Sequence, residues 1–172
     1  IWATILKYPE GGLNSILAWI SSGQIQPIDW LGDKSTSMIG IVMLSAWQAY
    51  GFQMIIYLAG LQNIPSAMYE AAGIDGASGW QKFWHVTWPG LLHTNIFVLT
   101  VTTIQALKLF TQVNILTKGG PRGSTNTLVH YIYDAGSVAQ KIGYAAASSI
   151  VLLVLILAIV VIQQLILKRF EA

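Results

Sequence analysis

The chain has 172 residues, of which 54% are hydrophobic and only 9% charged. A soluble domain carries about 25% charged residues, so this inventory does not furnish a water-facing surface and places the chain in lipid. The net charge of +2 comes from scattered basic residues and excludes a nucleic-acid footprint, and the lack of cysteine excludes disulfide and thiolate chemistry.

In chain order, Ile1–Lys7 is too short to span a membrane and lacks the basic region, apolar core and cleavage site of a signal peptide. It reads as the tail of an earlier helix, and the chain as a fragment. Residues 8–37 are rich in Gly, Ser, Pro and Asn, with GGLNSILAWI predicting one short amphipathic surface helix. Three apolar runs follow: Met38–Leu61, Leu91–Gln112 and roughly Gly143–Leu167. At about 1.5 Å per residue each exceeds the roughly 30 Å hydrocarbon core. The fold class is therefore all-α, a polytopic transmembrane helical bundle with three spans in one unit.

Residues 62–90 join the first two spans and residues 113–142 join the last two; the latter hold the turn cluster GGPRGSTNT and then LVHYIY, which predicts a short helix. The loop 62–90 shares a side with the C-terminal tail, because two spans separate them. That side holds Lys82, Lys168 and Arg169, and the other holds Lys7, Lys34, Lys118, Arg122 and Lys141. The positive-inside rule thus opposes, or does not decide, a cytoplasmic placement of 62–90.

Tyr69–Pro89, YEAAGIDGASGWQKFWHVTWP, reads as helix, turn, helix. Pro65 suits the first helical turn, with Ile64 or Asn63 as cap, and Met68, Ala71 and Ala72 form a small-residue face. Gly73, Asp75 and Gly76 end that helix, and Asp75 or Ser78 caps the next. There Trp80, Phe83, Trp84, Thr87 and Trp88 share a face opposite Gln81, Lys82 and His85. Three tryptophans on one stripe suit the headgroup interface.

Glu70-Ala71-Ala72, Asp75-Gly76-Ala77, Phe83 and Pro89 resemble the EAA loop in the membrane subunits of bacterial ABC importers. LAGLQNIPSAMYEAAGIDGA and LTKGGPRGSTNTLVHYIY are similar to the carbohydrate-type branch, the MalF-like sugar permeases, as are GGLNSIL and WLGDKSTSMIGIVMLSAWQAYGFQMII. The resemblance covers nearly the whole chain. Val86 stands where the pattern usually has Ile, and Trp88 where a smaller aliphatic is usual. Family members have about six spans, so an N-terminal half with about three is expected to precede these residues.

The resemblance implies a multi-pass subunit of the bacterial cytoplasmic (inner) membrane, with 62–90 cytoplasmic and 8–37 and 113–142 extracytoplasmic. It implies a coupling loop that docks on an ATPase, Glu70 pairing with a basic group there and Gly76 forming the turn. Partners would be two ABC ATPase subunits, a second homologous permease, an extracytoplasmic solute-binding protein and the lipid bilayer. ATP-Mg would sit on the partner ATPase, leaving no cofactor on this chain, and substrate would cross by alternating access.

The remaining signals are weaker. GGPRGST is not a phosphate loop, since three residues separate Gly119 from Gly123 and no Lys follows. His85, His93 and His130 lack metal-ligand spacing, no Gly-x-Ser-x-Gly elbow exists, and Glu70 and Asp75 do not pair as acid and base, so no catalytic residue and no enzyme activity are expected. Asn95, Thr102, Gln105 and Gln112 form a polar stripe on the second span. It fits interhelical hydrogen bonds, the favoured reading, or a sugar-hydroxyl path with Tyr50, Phe52 and Gln53. Lys108 reads as a snorkelling side chain, and Gly143, Ala147 and Ala145–Ser149 as helix-packing positions. An ion-coupled secondary transporter would need ionisable residues deep in its spans, and a membrane scaffold would not need the EAA loop.

Overall fold

The computed structural model describes residues 1–168, all of whose regular elements are helical. Arg169, used in the charge comparison above, lies outside the described residues. The long helices are α3 (Ser37–Gln62), α7 (Leu92–Leu107) and α10 (Ile142–Lys168), and three helical stretches, Ser37–Gln62, Leu92–Leu116 and Ile142–Leu167, are long and apolar enough to cross a membrane. The short ones are α1 (Trp2–Ile5), α2 (Gly12–Ile20), α4 (Ser66–Ile74), α5 (Gly79–Lys82), α6 (Trp88–Gly90), α8 (Thr111–Leu116) and α9 (Leu128–Tyr133). GGLNSILAWI and LVHYIY both form the helices their patterns predict.

The chain packs as two compact units. One comprises Ile1–Trp47 with Gln105–Leu157, the other Gln48–Ile104 with the described residues from Ala158 onward.

In the first unit, Leu6, Ile41 and Val113 are fully buried, as are the polar Ser37, Thr125 and His130. Asn14, also buried, clamps the loop before α3. Its amide donates to the Ile28 carbonyl at 2.9 Å and its carbonyl accepts from the Ile28 N–H at 3.1 Å and the Trp30 indole at 2.9 Å. The GGPRGST turn is built on left-handed residues at Lys118, Gly119, Arg122 and Gly123. Thr125 lies beneath it, bonded to Thr117 and to the Gly120 carbonyl at 2.7 Å each, and Ser124 reaches Ser37 at the start of α3 at 2.9 Å.

Two features here depart from the sequence pattern. Leu91–Gln112 reads as one uninterrupted helix, but α7 stops at Leu107 and helix resumes only at Thr111. The Leu109 carbonyl is taken by the Thr127 hydroxyl at 2.7 Å, and Phe110 turns out of helical geometry at φ −134°. Exposed Lys108 stands at this break. The small residues at the head of α10 are also not equivalent. Ala145 stands close to Gly136, where an added Cβ would sit 3.0 Å from the Ala145 Cβ, whereas the Gly143 position opens onto free space.

In the second unit, polar side chains join the long helices. Gln53 of α3 donates to Thr102 of α7 at 2.8 Å, and Gln164 of α10 donates to Thr100 of α7 at 3.1 Å. Gly60 lets α3 approach α7 closely: a Cβ there would sit 2.5 Å from the Thr94 hydroxyl and 3.0 Å from Leu91 Cδ2.

Candidate functional site: a braced helical knuckle between two spans

The segment between α3 and α7 lies wholly in the second unit and is built as a knuckle on a small apolar floor. Ile64, Val86 and Leu91 form that floor, with Tyr57, Tyr69 and Ala72 packed on it. Pro65 does not enter the first turn of α4. Its ψ of 132° is extended, which makes it the N-cap itself and starts the helix at Ser66. Its fixed φ is compatible with either position, but the chain arriving from Ile64 must turn before the helix can begin.

α4 ends in a Schellman motif. The Ala77 N–H bonds the Ala72 carbonyl at 2.9 Å, the Gly76 N–H bonds the Gly73 carbonyl at 3.1 Å, and Gly76 takes φ +74°. An L-residue in that conformation costs roughly 1–2 kcal/mol, so a glycine is needed at this turn even though the space around it is open. Of the two predicted caps for the next helix, Ser78 acts. It forms a full capping box with Gln81, accepting from the Gln81 N–H at 3.4 Å while its own N–H bonds the Gln81 side chain at 2.8 Å.

The second helix is not a plain α-helix. α5 gives way to a π turn over Phe83–Thr87, closed by the Trp88 N–H to the Phe83 carbonyl, before α6 and α7. Pro89 supplies the reason. It has no N–H for the His85 carbonyl four residues back, and its ring crowds that carbonyl, so the helix widens where the ring must pass. Underwinding also moves Thr87 off the aromatic face, where a regular helix would hold it. Thr87 instead meets the Tyr69 hydroxyl at 2.9 Å, a brace from the first short helix to the second.

Three faces result. Glu70 and Ala71 are exposed on the outside of α4, together with Met68. The expected small-residue face is therefore split, because Ala72 turns inward to the apolar floor. Between the two short helices lies an open cleft of about 290 Å³, lined by Asp75, Gly76, Ala77, Gln81, Lys82 and His85 among others. On the third face Trp80, Phe83, Trp84 and Trp88 form a ladder of rings with centroids 5.3 to 6.4 Å apart.

The candidate path residues are more dispersed. Gln53 and Thr102 meet in the interhelical bond described above, whereas Tyr50 is largely exposed and Asn95 half-buried. Gln105 is exposed and belongs to the other unit. Thr100 and Gln164, absent from the expectations, form the second interhelical bond. Gln163-Gln164 interrupts the most apolar stretch of the chain, which was the available signal that a partner must exist.

Among the described residues no group of three or more His, Asp or Glu side chains could hold a metal ion. His130 is a packing histidine, buried with Nδ1 near Asn126 at 3.1 Å and Asp134 at 3.3 Å. His85 bonds the Gln81 carbonyl at 2.9 Å one turn back on its own helix. In the loop before α3, the Ser35 N–H and then its hydroxyl hold the exposed Asp33 carboxyl below the usual range.

Known proteins share this architecture. The permease protein AraP of the arabinooligosaccharide transport system of Bacillus subtilis is 38% identical over 80% of this chain and 43% of its own length. MalF of the trehalose/maltose system of Thermococcus litoralis is 38% identical over 74% of this chain and 42% of its own. A crystal structure of a bacterial ABC transporter that imports the acidic polysaccharide alginate superposes with a TM-score of 0.84 at 26% identity, covering 99% of this chain and 59% of that one. The chain thus spans under half the length of these two relatives. The family described as binding-protein-dependent transport system inner membrane component matches residues 3–172, and the chain belongs to that family.

Proposed function

We propose that these residues are part of a permease subunit of a binding-protein-dependent ABC importer for sugars, oligosaccharides or glycerol 3-phosphate, and that the knuckle is where ATP-driven motion enters it. The observation that carries this reading is the brace. Glu70 is exposed on a short helix whose other side is tied to the foot of α7 by the Tyr69–Thr87 bond and the Ile64/Val86/Leu91 floor. A push on α4 is thereby delivered to the span as a rigid displacement. Glu70, Ala71, Asp75, Gly76 and Ala77 would meet an ATPase subunit, Glu70 through a basic group on its surface. Ala72, Phe83 and Pro89 would hold the shape of the knuckle.

In this reading the knuckle is cytoplasmic and residues 8–37 and 113–142 face outward, where a solute-binding protein delivers substrate. Two ATPases hold ATP-Mg, and a second permease completes the path. The substrate class is supported by the relatives, whose names specify arabinooligosaccharides, trehalose/maltose and, for UgpA of Agrobacterium fabrum at 38% identity, sn-glycerol 3-phosphate. Gln53 and Thr102 support helix packing more directly than substrate contact, because each already has the other as partner.

The test is substrate-stimulated ATPase activity and uptake in the complete transporter reconstituted in proteoliposomes. Glu70→Ala and Gly76→Pro should abolish stimulation and uptake while the ATPase subunits retain basal turnover. Stimulation that survives Gly76→Pro in a correctly assembled complex would sink the coupling reading, and uptake driven by a proton gradient without ATP would replace it with an ion-coupled mechanism.

A further inference from the structure

The aromatic ladder is a surface without a partner among the described residues. Trp80, Phe83, Trp84 and Trp88 are 70%, 37%, 45% and 48% exposed, so each ring touches its neighbours and still presents a large apolar area. Three of the seven tryptophans of the chain are concentrated in this stretch. Four-residue spacing sets Trp80, Trp84 and Trp88 in one row, and the underwound turn at Phe83–Thr87 limits the drift that a regular helix would impose on that row. Gln81, Lys82 and His85 lie away from it and line the polar cleft.

Position decides what such a face meets. Trp88 stands four residues before Leu92, where α7 begins, a rise of only about 6 Å along a helix. The row therefore continues into a helix whose own surface includes exposed Phe97 and Leu99 and is apolar enough to cross a membrane. Tryptophan is enriched at the level of the lipid headgroups, where its ring is shielded and its N–H stays hydrated. The π turn, Pro89 and the non-helical Leu91 at φ −90° and ψ 4° give the chain three successive places to change direction between the knuckle and the span.

We propose that the Trp80–Phe83–Trp84–Trp88 face is covered by lipid: it seats the knuckle in the headgroup–acyl boundary at the foot of α7. The seat sets the height of the knuckle relative to the bilayer and keeps its polar cleft and the Glu70 face turned to water. It needs only the membrane, so it stands or falls independently of the ATPase contact.

The residues described here contain no cysteine, which suits site-directed spin labelling in a background free of other cysteines. Labels at Trp80→Cys, Trp84→Cys and Trp88→Cys, and on the polar side at Gln81→Cys and His85→Cys, would be placed one at a time in the full-length permease, assembled with its partners in lipid bilayers. Collision with oxygen, which partitions into lipid, is compared with collision with a water-soluble nickel chelate. Oxygen collisions should dominate at the three aromatic positions and nickel collisions at 81 and 85. Nickel dominance at the aromatic positions means water covers the face, and shielding from both reagents means protein covers it; either result overturns the proposal. A second measurement avoids cysteine altogether. Brominated lipid should quench the tryptophan emission, and the quenched component should shrink in Trp84→Phe/Trp88→Phe; an unchanged quenched component also overturns it.

Discussion

The close approach of α3 and α7 at Gly60 can be tested quantitatively. Replacing Gly60 by Ala puts a methyl carbon 2.5 Å from Thr94 Oγ1 and 3.0 Å from both Thr94 Cγ2 and Leu91 Cδ2. Thr94 carries two γ atoms on a stiff χ1, so rotating it exchanges one clash for the other. Overpacking of this kind costs about 1–3 kcal/mol. Truncating the obstacle as well, in Gly60→Ala/Thr94→Ala, removes both γ atoms and leaves only the flexible end of Leu91. The double variant should recover most of the loss, giving a coupling of about 1–2 kcal/mol in a double-mutant cycle. Gly51→Ala on the same helix is the control: nothing lies within 4 Å of that position, and the change should be neutral or stabilising by up to about 1 kcal/mol. Reversible unfolding of the purified permease in mild-detergent mixtures reads all five proteins: wild type, Gly60→Ala, Thr94→Ala, the double variant and Gly51→Ala. If Gly60→Ala matches Gly51→Ala, or if the double variant is as unstable as the sum of its parts, the inferred helix contact is wrong.

Gln53→Leu removes one interhelical bond and should cost only about 0.6 kcal/mol, the usual worth of such a bond in a membrane, because Thr102 keeps its own bond to the Val98 carbonyl. The KM for transport should stay unchanged; a raised KM at unaltered stability would reassign Gln53 to the substrate path. Asn14→Asp keeps the size of the loop clamp but loses the donor to Ile28 and sets a carboxylate against that carbonyl. Loss of about 1–3 kcal/mol is expected for the unsatisfied buried group, measured as increased protease cleavage between residues 21 and 36, and cleavage equal to wild type would contradict the clamp.

The sequence revealed most where the physics is local. Three long apolar runs, the amphipathic GGLNSILAWI and Ser78 as one of two candidate caps are written in composition and short spacing, and each appears as an element or cap. What stayed hidden depends on distant partners. The end of α7 at Leu107 follows from a hydroxyl at Thr127, and nothing within the run Leu91–Gln112 announces it. Likewise, Ala71 and Ala72 are the same residue type in adjacent places, and only the floor formed by Ile64, Val86 and Leu91 decides which of them turns inward. A regular 3.6-residue period puts Thr87 on the aromatic face, and the turn that Pro89 makes wider takes it off that face.

That turn also works as a phase setting between two bodies. A π turn amounts to one residue more than a regular helix would use over the same rise, and each residue of an α-helix advances the next by about 100°. Deleting any one residue between Phe83 and Thr87 would leave a chain of regular α-helical count from α5 to α6, kinked where Pro89 crowds the carbonyl one turn back. Yet every face of the knuckle would then point about a quarter turn away from its present direction relative to α7. The extra residue thus acts as a fixed angular offset, and the orientation of the aromatic row and of Glu70 about the span is stored in a count of residues rather than in any single side chain.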